Sequence, residues 1–349
     1  MVFLKGLKNA RYTTGLEMGI GVGRVGYPNG GGTIGGYLRE TSKPYRVFAV
    51  TAHHVVSQQT GAISSSDEVR VQSPALCDLR WKKEGIDTES GKLALEIEEL
   101  VAEEMMGIEA GAKPSSKPSN LRAEKDAIDK QGQDLDAHMA RDNSVGTVYA
   151  LSGLRTAKWN KSDPGDSPEN KLHMDWALVE LDDPRWAANL SHLFITNGAL
   201  DGTDVQKVGR ITSHTLGETL GRSTVTLPGV PKTLEMRAVK KLGTGDSSFA
   251  ERGDSGAWIL DMKGEVLGMI FAGDPTGYTA YYTPLDIMLE DMKEHTGLEL
   301  EVMPRRSTDG GSEKGRFSFF FTFLSSLWWV ITGRTYYRAA KMGRRNDGT

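Results

Sequence analysis

The chain has 349 residues, with 42 Lys+Arg against 46 Asp+Glu and a formal net charge of −4. Charged residues at 25% and hydrophobic ones at 38% exclude a wholly disordered chain and a polytopic membrane protein. The near-neutral balance gives no general case for nucleic acid, and the single cysteine, Cys77, excludes an intrachain disulfide framework and any all-cysteine metal site.

Residues 1–15 read as an N-terminal arm without an apolar run of signal-peptide length. With one cysteine, the expectation is an intracellular, reducing compartment. Residues 16–81 read as β-rich: glycine turns at 30–32 and 35–36 break short apolar runs, Thr33–Leu38 and Tyr45–Val50 look like paired strands, and Val69–Val71 like another. Composition changes at Lys82. Leu93, Ile97, Leu100, Val101 and Met105 recur at helical spacing. After the break GAKPSSKPSN, Leu121, Ile128, Leu135 and Met139 mark a second amphipathic stretch. The segment 82–143 is therefore expected to insert a helical hairpin, and 82–142 carries 15 acidic and 9 basic residues. A solvated surface insertion is the first reading of it, and a docking element for a protein partner, or a lid, is the second.

From 144 the β pattern returns, in runs such as Gly146–Leu151, Ala177–Leu181, Val205–Gly209, Ala257–Leu260 and Val266–Phe271. Pro284–His295 reads as a helix with Leu285, Met288, Leu289 and Met292 on one face and Gly297 as its stop. Residues 298–316 read as a linker and 317–349 as a hydrophobic and basic tail. In that tail, 317–332 holds 11 apolar residues in 16. As a helix it would span ~24 Å, short of a hydrocarbon core of ~30 Å. A short membrane anchor, an interfacial helix and a core-docked helix all stand as readings of it.

Three short motifs carry chemistry: Val50-Thr51-Ala52-His53-His54-Val55, Met174-Asp175-Trp176-Ala177-Leu178-Val179 and Gly253-Asp254-Ser255-Gly256-Ala257-Trp258. Acyl transfer by serine needs a hydroxyl beside an imidazole, a carboxylate that holds the imidazole, and two backbone N–H donors for the developing oxyanion. Ser255 in its glycine-flanked turn suits the nucleophile, with the Gly253 and Ser255 N–H groups as donors. His54 is the base candidate and Asp175 its orienter. His53 is the rival base; on a strand, neighbouring side chains face opposite sides, so only one can serve. The remaining histidines are scattered without zinc-ligand spacing, and no metal or other cofactor is expected.

In their order His…Asp…Ser, these motifs resemble the chymotrypsin-like (trypsin-like) serine proteases. The resemblance covers 16–81 and 144–297. It implies an all-β fold of two six-stranded antiparallel barrels, here with the helical-hairpin insertion and a C-terminal helix. It implies an endopeptidase with a polypeptide substrate, His54, Asp175 and Ser255 as triad, and Gly253 and Ser255 as oxyanion hole. It places substrate contacts at Phe271, Ala272 and Gly273, and at Phe249, six residues before Ser255 at the base of the specificity pocket. An Asp there would select Arg or Lys; Phe does not. Many members free an Ile-Val amino terminus that pairs with the Asp before the nucleophile. No such activation sequence is present, so Asp254 needs another partner or none. The competing reading is a pseudoprotease, a peptide-binding scaffold on the same fold.

Overall fold

The run VFAVTA, Val47–Ala52, is apolar on both faces, and such a strand has to be covered from both sides. All six residues are buried, inside an eight-stranded antiparallel sheet. The structure is a computed structural model that describes residues 16–57, 68–109, 116–158, 171–188, 201–225, 234–242 and 248–303. The chain divides into two units, Met1–Arg305 and Arg306–Thr349, and every described residue belongs to the first. The arm 1–15 and the apolar run 317–332 lie outside the described residues. No helix among the described residues is long and apolar enough to cross a membrane.

In chain order the elements are β1 (Leu16–Glu17), β2 (Gly21–Arg24), β3 (Gly32–Thr33), β4 (Gly36–Glu40), β5 (Val47–Ala52), α1 (His53–Val56), β6 (Arg70–Gln72), α2 (Leu76–Glu109) and α3 (Lys117–Met139). There follow β7 (Ser144–Leu151), β8 (Arg155–Lys158), β9 (Lys171–Met174), β10 (Trp176–Leu181), β11 (Ala187–Ala188), β12 (Asp204–Gly209) and β13 (Ser213–Val225). The last are β14 (Leu234–Lys241), β15 (Trp258–Asp261), β16 (Val266–Gly273), β17 (Thr279–Pro284), α4 (Leu285–Thr296) and β18 (Leu300–Val302).

The expectation of an all-β pair of six-stranded barrels is corrected in two ways. Only the second sheet, β12-β13-β14-β17-β16-β15, closes into a six-stranded barrel. The first is an open sheet of eight strands in the order β18-β4-β5-β10-β7-β6-β2-β3. Its glycine-rich start is cut into the short strands β2, β3 and β4, and β18 pairs onto the outer edge of β4, with Leu300 opposite Glu40. The chain is also not all-β, because α2 and α3 run for 34 and 23 residues. They have a core of their own, in which Leu79, Ile86 and Leu135 are buried with Ile128 and Met139 against them. Of the apolar positions read on the first helix, Leu93 and Ile97 are buried and Met105 is exposed.

The joint between the sheets is glycine-dependent. A Cβ on Gly36 would lie 2.4 Å from the Trp258 ring, so only a bare backbone lets β4 cross that indole. Helix α4 closes the chain end, with Leu285, Met288 and Met292 buried and Gly297 in the left-handed region at φ 71°. Its Asp291 is a buried acceptor: Arg155 Nη2 donates to both oxygens at 2.5 and 2.7 Å, and Trp176 Nε1 donates to Oδ2 at 2.7 Å. Removing that carboxylate strands a buried indole donor and a guanidinium. Asp291→Ala is expected to lower stability by ~2–4 kcal/mol, read as a shift of the urea midpoint at constant slope.

Candidate active site

Register brings the first two groups together. Trp176 at the start of β10 pairs with Ala52 at the end of β5, so Asp175 stands beside the chain as it leaves β5. The pairing extends one step further, with His53 N–H donating to the Asp175 carbonyl at 3.0 Å. There the chain turns into α1, so His53 and His54 open a helix rather than continue a strand. His53 is fully buried. His54 is gripped by Asp175 twice: its backbone N–H donates to Oδ1 at 3.0 Å, and its Nδ1 lies 2.6 Å from Oδ2. A carboxylate at Nδ1 fixes the proton there and leaves Nε2 as the free base. Burial pulls the His54 imidazole down, but the charge and hydrogen bond of Asp175 outweigh it and hold its pKa above the ordinary value. The carboxylate is 3% exposed and the imidazole 40%, so the pair is anchored inside and open on its reactive side.

Ser255 comes from the barrel. Gly256, at φ 97°, lets its turn meet the end of β5: a Cβ there would lie 2.2 Å from the Thr33 carbonyl and 3.1 Å from Ala52 N, one residue before His53. Thr33 N–H donates to the Ser255 carbonyl at 2.8 Å. The Ser255 hydroxyl lies 3.5 Å from the Phe271 carbonyl, and among the described residues no hydrogen bond joins it to His54. Nucleophile–base bonds are often long without substrate.

The backbone around the serine suits an oxyanion. Asp254 N–H donates to the Glu251 carbonyl at 2.9 Å, closing a turn whose third residue, Gly253, has φ 109°. This is a type II turn, which glycine favours at that place. Neither the Gly253 N–H nor the Ser255 N–H is used by a protein acceptor among the described residues.

Asp254 finds its cation inside the chain. Lys207 Nζ lies 3.0 Å from Asp254 Oδ2, and both side chains are 0% exposed. Ile211 N–H donates to Oδ1 at 2.8 Å, while the Thr212 hydroxyl and Glu251 N–H donate to Oδ2 at 2.6 and 3.0 Å. Burial alone would raise the Asp254 carboxyl, but Lys207 and these donors hold it below the usual carboxylate range.

Beside Ser255 lies a cleft of ≈ 600 Å³ lined by Ser248, Ala250, Ala272, Gly273, Asp274, Thr276 and Gly277, with Glu251 and Arg252 also on its wall. Ala272 and Gly273 thus border it. Phe249 and Phe271 do not line it: Phe249 lies in the barrel core, and Phe271 packs with Met236. The sequence reasoning missed the wall made by Asp274-Pro275-Thr276-Gly277, although Asp-Pro-x-Gly is a turn signal. Asp274 caps that turn: burial opposes its charge, but the Thr276 hydroxyl and the Thr276 and Thr279 N–H donors hold its carboxyl below the usual range.

No protein-family model and no curated protein sequence matches this chain. Among solved structures it is similar to a protease of Nocardiopsis, at 14% identity and a TM-score of 0.39, over 82% of this chain and 98% of that one. It is similar to Thermobifida fusca protease A, at 14% identity and a TM-score of 0.39, over 83% and 100% of the two chains. It is also similar to a chymotrypsin of Cellulomonas bogoriensis, at 19% identity and a TM-score of 0.28, over 48% and 83%. The chain is similar to chymotrypsin-like serine proteases at low identity, with one cysteine and so no intrachain disulfide. What the site can do follows from its own atoms.

Loss of Lys207 leaves a carboxylate buried and unpaired beside Ser255. Lys207→Met is expected to lower stability by ~3–5 kcal/mol, measured by chemical denaturation.

Proposed function

We infer that this protein is a serine endopeptidase that cleaves peptide bonds through an acyl-enzyme. The double grip of Asp175 on His54 carries the reading, because a general base needs this fixed tautomer and a carboxylate to stabilise its charged form. Ser255 Oγ attacks the scissile carbonyl as its proton passes to His54 Nε2. The Gly253 and Ser255 N–H groups receive the oxyanion. His54 then gives the proton to the leaving amine, and a water, deprotonated by the same imidazole, releases the acyl group. The cleft beside Ser255 receives the substrate side chain on the acyl side.

A second reading, a peptide-binding pseudoprotease, has one observation behind it: the Ser255 hydroxyl lies against the Phe271 carbonyl and not on His54. Labelling by a fluorophosphonate, which requires an activated serine, separates the two. Wild type is expected to label and Ser255→Ala not to; a folded wild type that does not label sinks the endopeptidase.

The pH profile gives an independent check. The base works only when neutral, so activity falls as pH drops through its pKa. With His54 raised by Asp175, the acid limb of kcat/KM is expected above the ordinary imidazole value of ~6.5. Asp175→Asn is expected to move that limb down and to cut kcat by ~10⁴-fold.

A further inference from the structure

The helical hairpin α2–α3 is joined to the oxyanion turn by a continuous set of contacts. Asp78, in the first turn of α2, is 0% exposed, and it meets Arg210, 4% exposed, from the turn between β12 and β13. Arg210 Nε donates to Asp78 Oδ1 and Oδ2 at 2.7 and 2.9 Å, and Nη2 lies 2.5 Å from Oδ1. Nη2 also donates to Cys77 Sγ at 3.0 Å, and the guanidinium carbon lies 5.7 Å from the Trp81 ring. So three side chains from the start of α2 fix one arginine.

The same arginine touches the oxyanion turn. A Cβ on Gly253 would lie 2.8 Å from Arg210 Nη1, so the guanidinium lies directly against the bare Gly253 backbone. Arg210 N–H donates to Thr33 Oγ1 at 3.1 Å, and that hydroxyl donates to the Gly253 carbonyl at 3.0 Å. The next two residues bind Asp254 through Ile211 N–H and the Thr212 hydroxyl. Arg210 to Thr212 is the three-residue turn between β12 and β13, closed by the Gly209–Ser213 pair. Ser213 has φ 58°, in the left-handed region, so this turn is held in one tight form.

We propose that Asp78 and Arg210 are positioning residues that hold the Gly253–Asp254 peptide in place, and with it the Gly253 and Ser255 N–H groups on either side that face the oxyanion, so that the helical hairpin is a working part of the site. This rests on the endopeptidase reading for its catalytic consequence, but the mechanical coupling does not. The hairpin then offers a route by which a load on α2 changes the oxyanion turn: a rotation of its first turn moves Arg210, and Arg210 moves Gly253.

The test uses the full chain. Asp78→Leu with Arg210→Met removes both charges together, so neither is left buried alone. Trp81→Ala, at a half-exposed position, loosens Arg210 without touching the ion pair. For each folded variant, amide hydrogen exchange is followed by mass spectrometry and the fluorophosphonate labelling rate is measured. The expected result is faster exchange confined to 210–213 and 250–257, with labelling slowed ~10- to 100-fold in the double variant and less in Trp81→Ala. Wild-type exchange in 250–257 with a wild-type labelling rate overturns the proposal. Exchange that rises equally over the whole fold also overturns it, since a merely structural pair would do that. Wild type that never labels ends the endopeptidase reading, and the exchange pattern alone then decides the coupling.

Discussion

A lysine and an aspartate shut away from water together, Lys207 and Asp254, set the terms for the site. Neither charge is tolerable there alone, since taking one ion out of water costs several kcal/mol. Asp254 is the residue before Ser255, so wherever its carboxylate is pinned, the Ser255 backbone follows. The pinning is complete: Lys207 Nζ, the Thr212 hydroxyl and Glu251 N–H meet Oδ2, and Ile211 N–H meets Oδ1. An activated protease that uses its own new amino terminus must wait for cleavage to supply that cation. Here β12 carries the cation as part of the barrel wall, so folding alone supplies it.

The site is assembled across the joint of the two sheets. The open sheet contributes His54 and Asp175, through the β5–β10 pairing; the barrel contributes the Ser255 turn. What aligns them is hydrogen bonding to backbone carbonyls rather than apolar side-chain interlocking. Thr33 N–H takes the Ser255 carbonyl, the Thr33 hydroxyl takes the Gly253 carbonyl, and the Thr51 hydroxyl takes the Thr33 carbonyl at 2.8 Å. Such approaches are possible only where glycine removes the Cβ, at Gly36 under Trp258 and at Gly256 under Thr33.

These dependencies explain what could be read in the sequence and what could not. The three motifs are local, so the residue types at 54, 175 and 255 were legible, and so was the helix at 285–296 with its glycine stop. Lys207 was not: a lysine in the run DVQKVG reads as solvated by its type, although it shares a strand face with buried Val205, and its partner is 47 residues away. Arg210 and Asp78 are 132 residues apart and lie in segments with no shared pattern. Helix α2 begins at Leu76, ahead of the change in composition, because its first turn packs on the β-sheet lobe rather than on water. The eight-stranded sheet was missed because strands of two or three residues, such as β3 and β18, carry no periodicity. His53 and His54 read as strand because Thr-Ala-His-His-Val-Val has no helix signal; the register with β10 ends at Ala52, one more hydrogen bond follows at His53, and the chain turns there.

With no disulfide to join distant segments, the chain uses ion pairs, and their placement has a physical logic. Lys207–Asp254, Arg210–Asp78 and Arg155–Asp291 link residues 47, 132 and 136 apart. An apolar contact tolerates a small slide, because dispersion falls off gently and is shared among many atoms. A buried ion pair tolerates none, because any slide leaves charge without its counter-charge at low dielectric. Apolar packing would serve bulk stability as well or better, so such pairs are useful where position matters. All three stand next to a group that must be placed: Asp254 adjoins Ser255, Arg210 lies on Gly253, and Asp291 holds the indole of Trp176, which follows Asp175. These three pairs thus bear on Ser255, Gly253 and Asp175, the groups that the proposed mechanism uses as nucleophile, oxyanion donor and orienter and whose displacement by an ångström it would feel most.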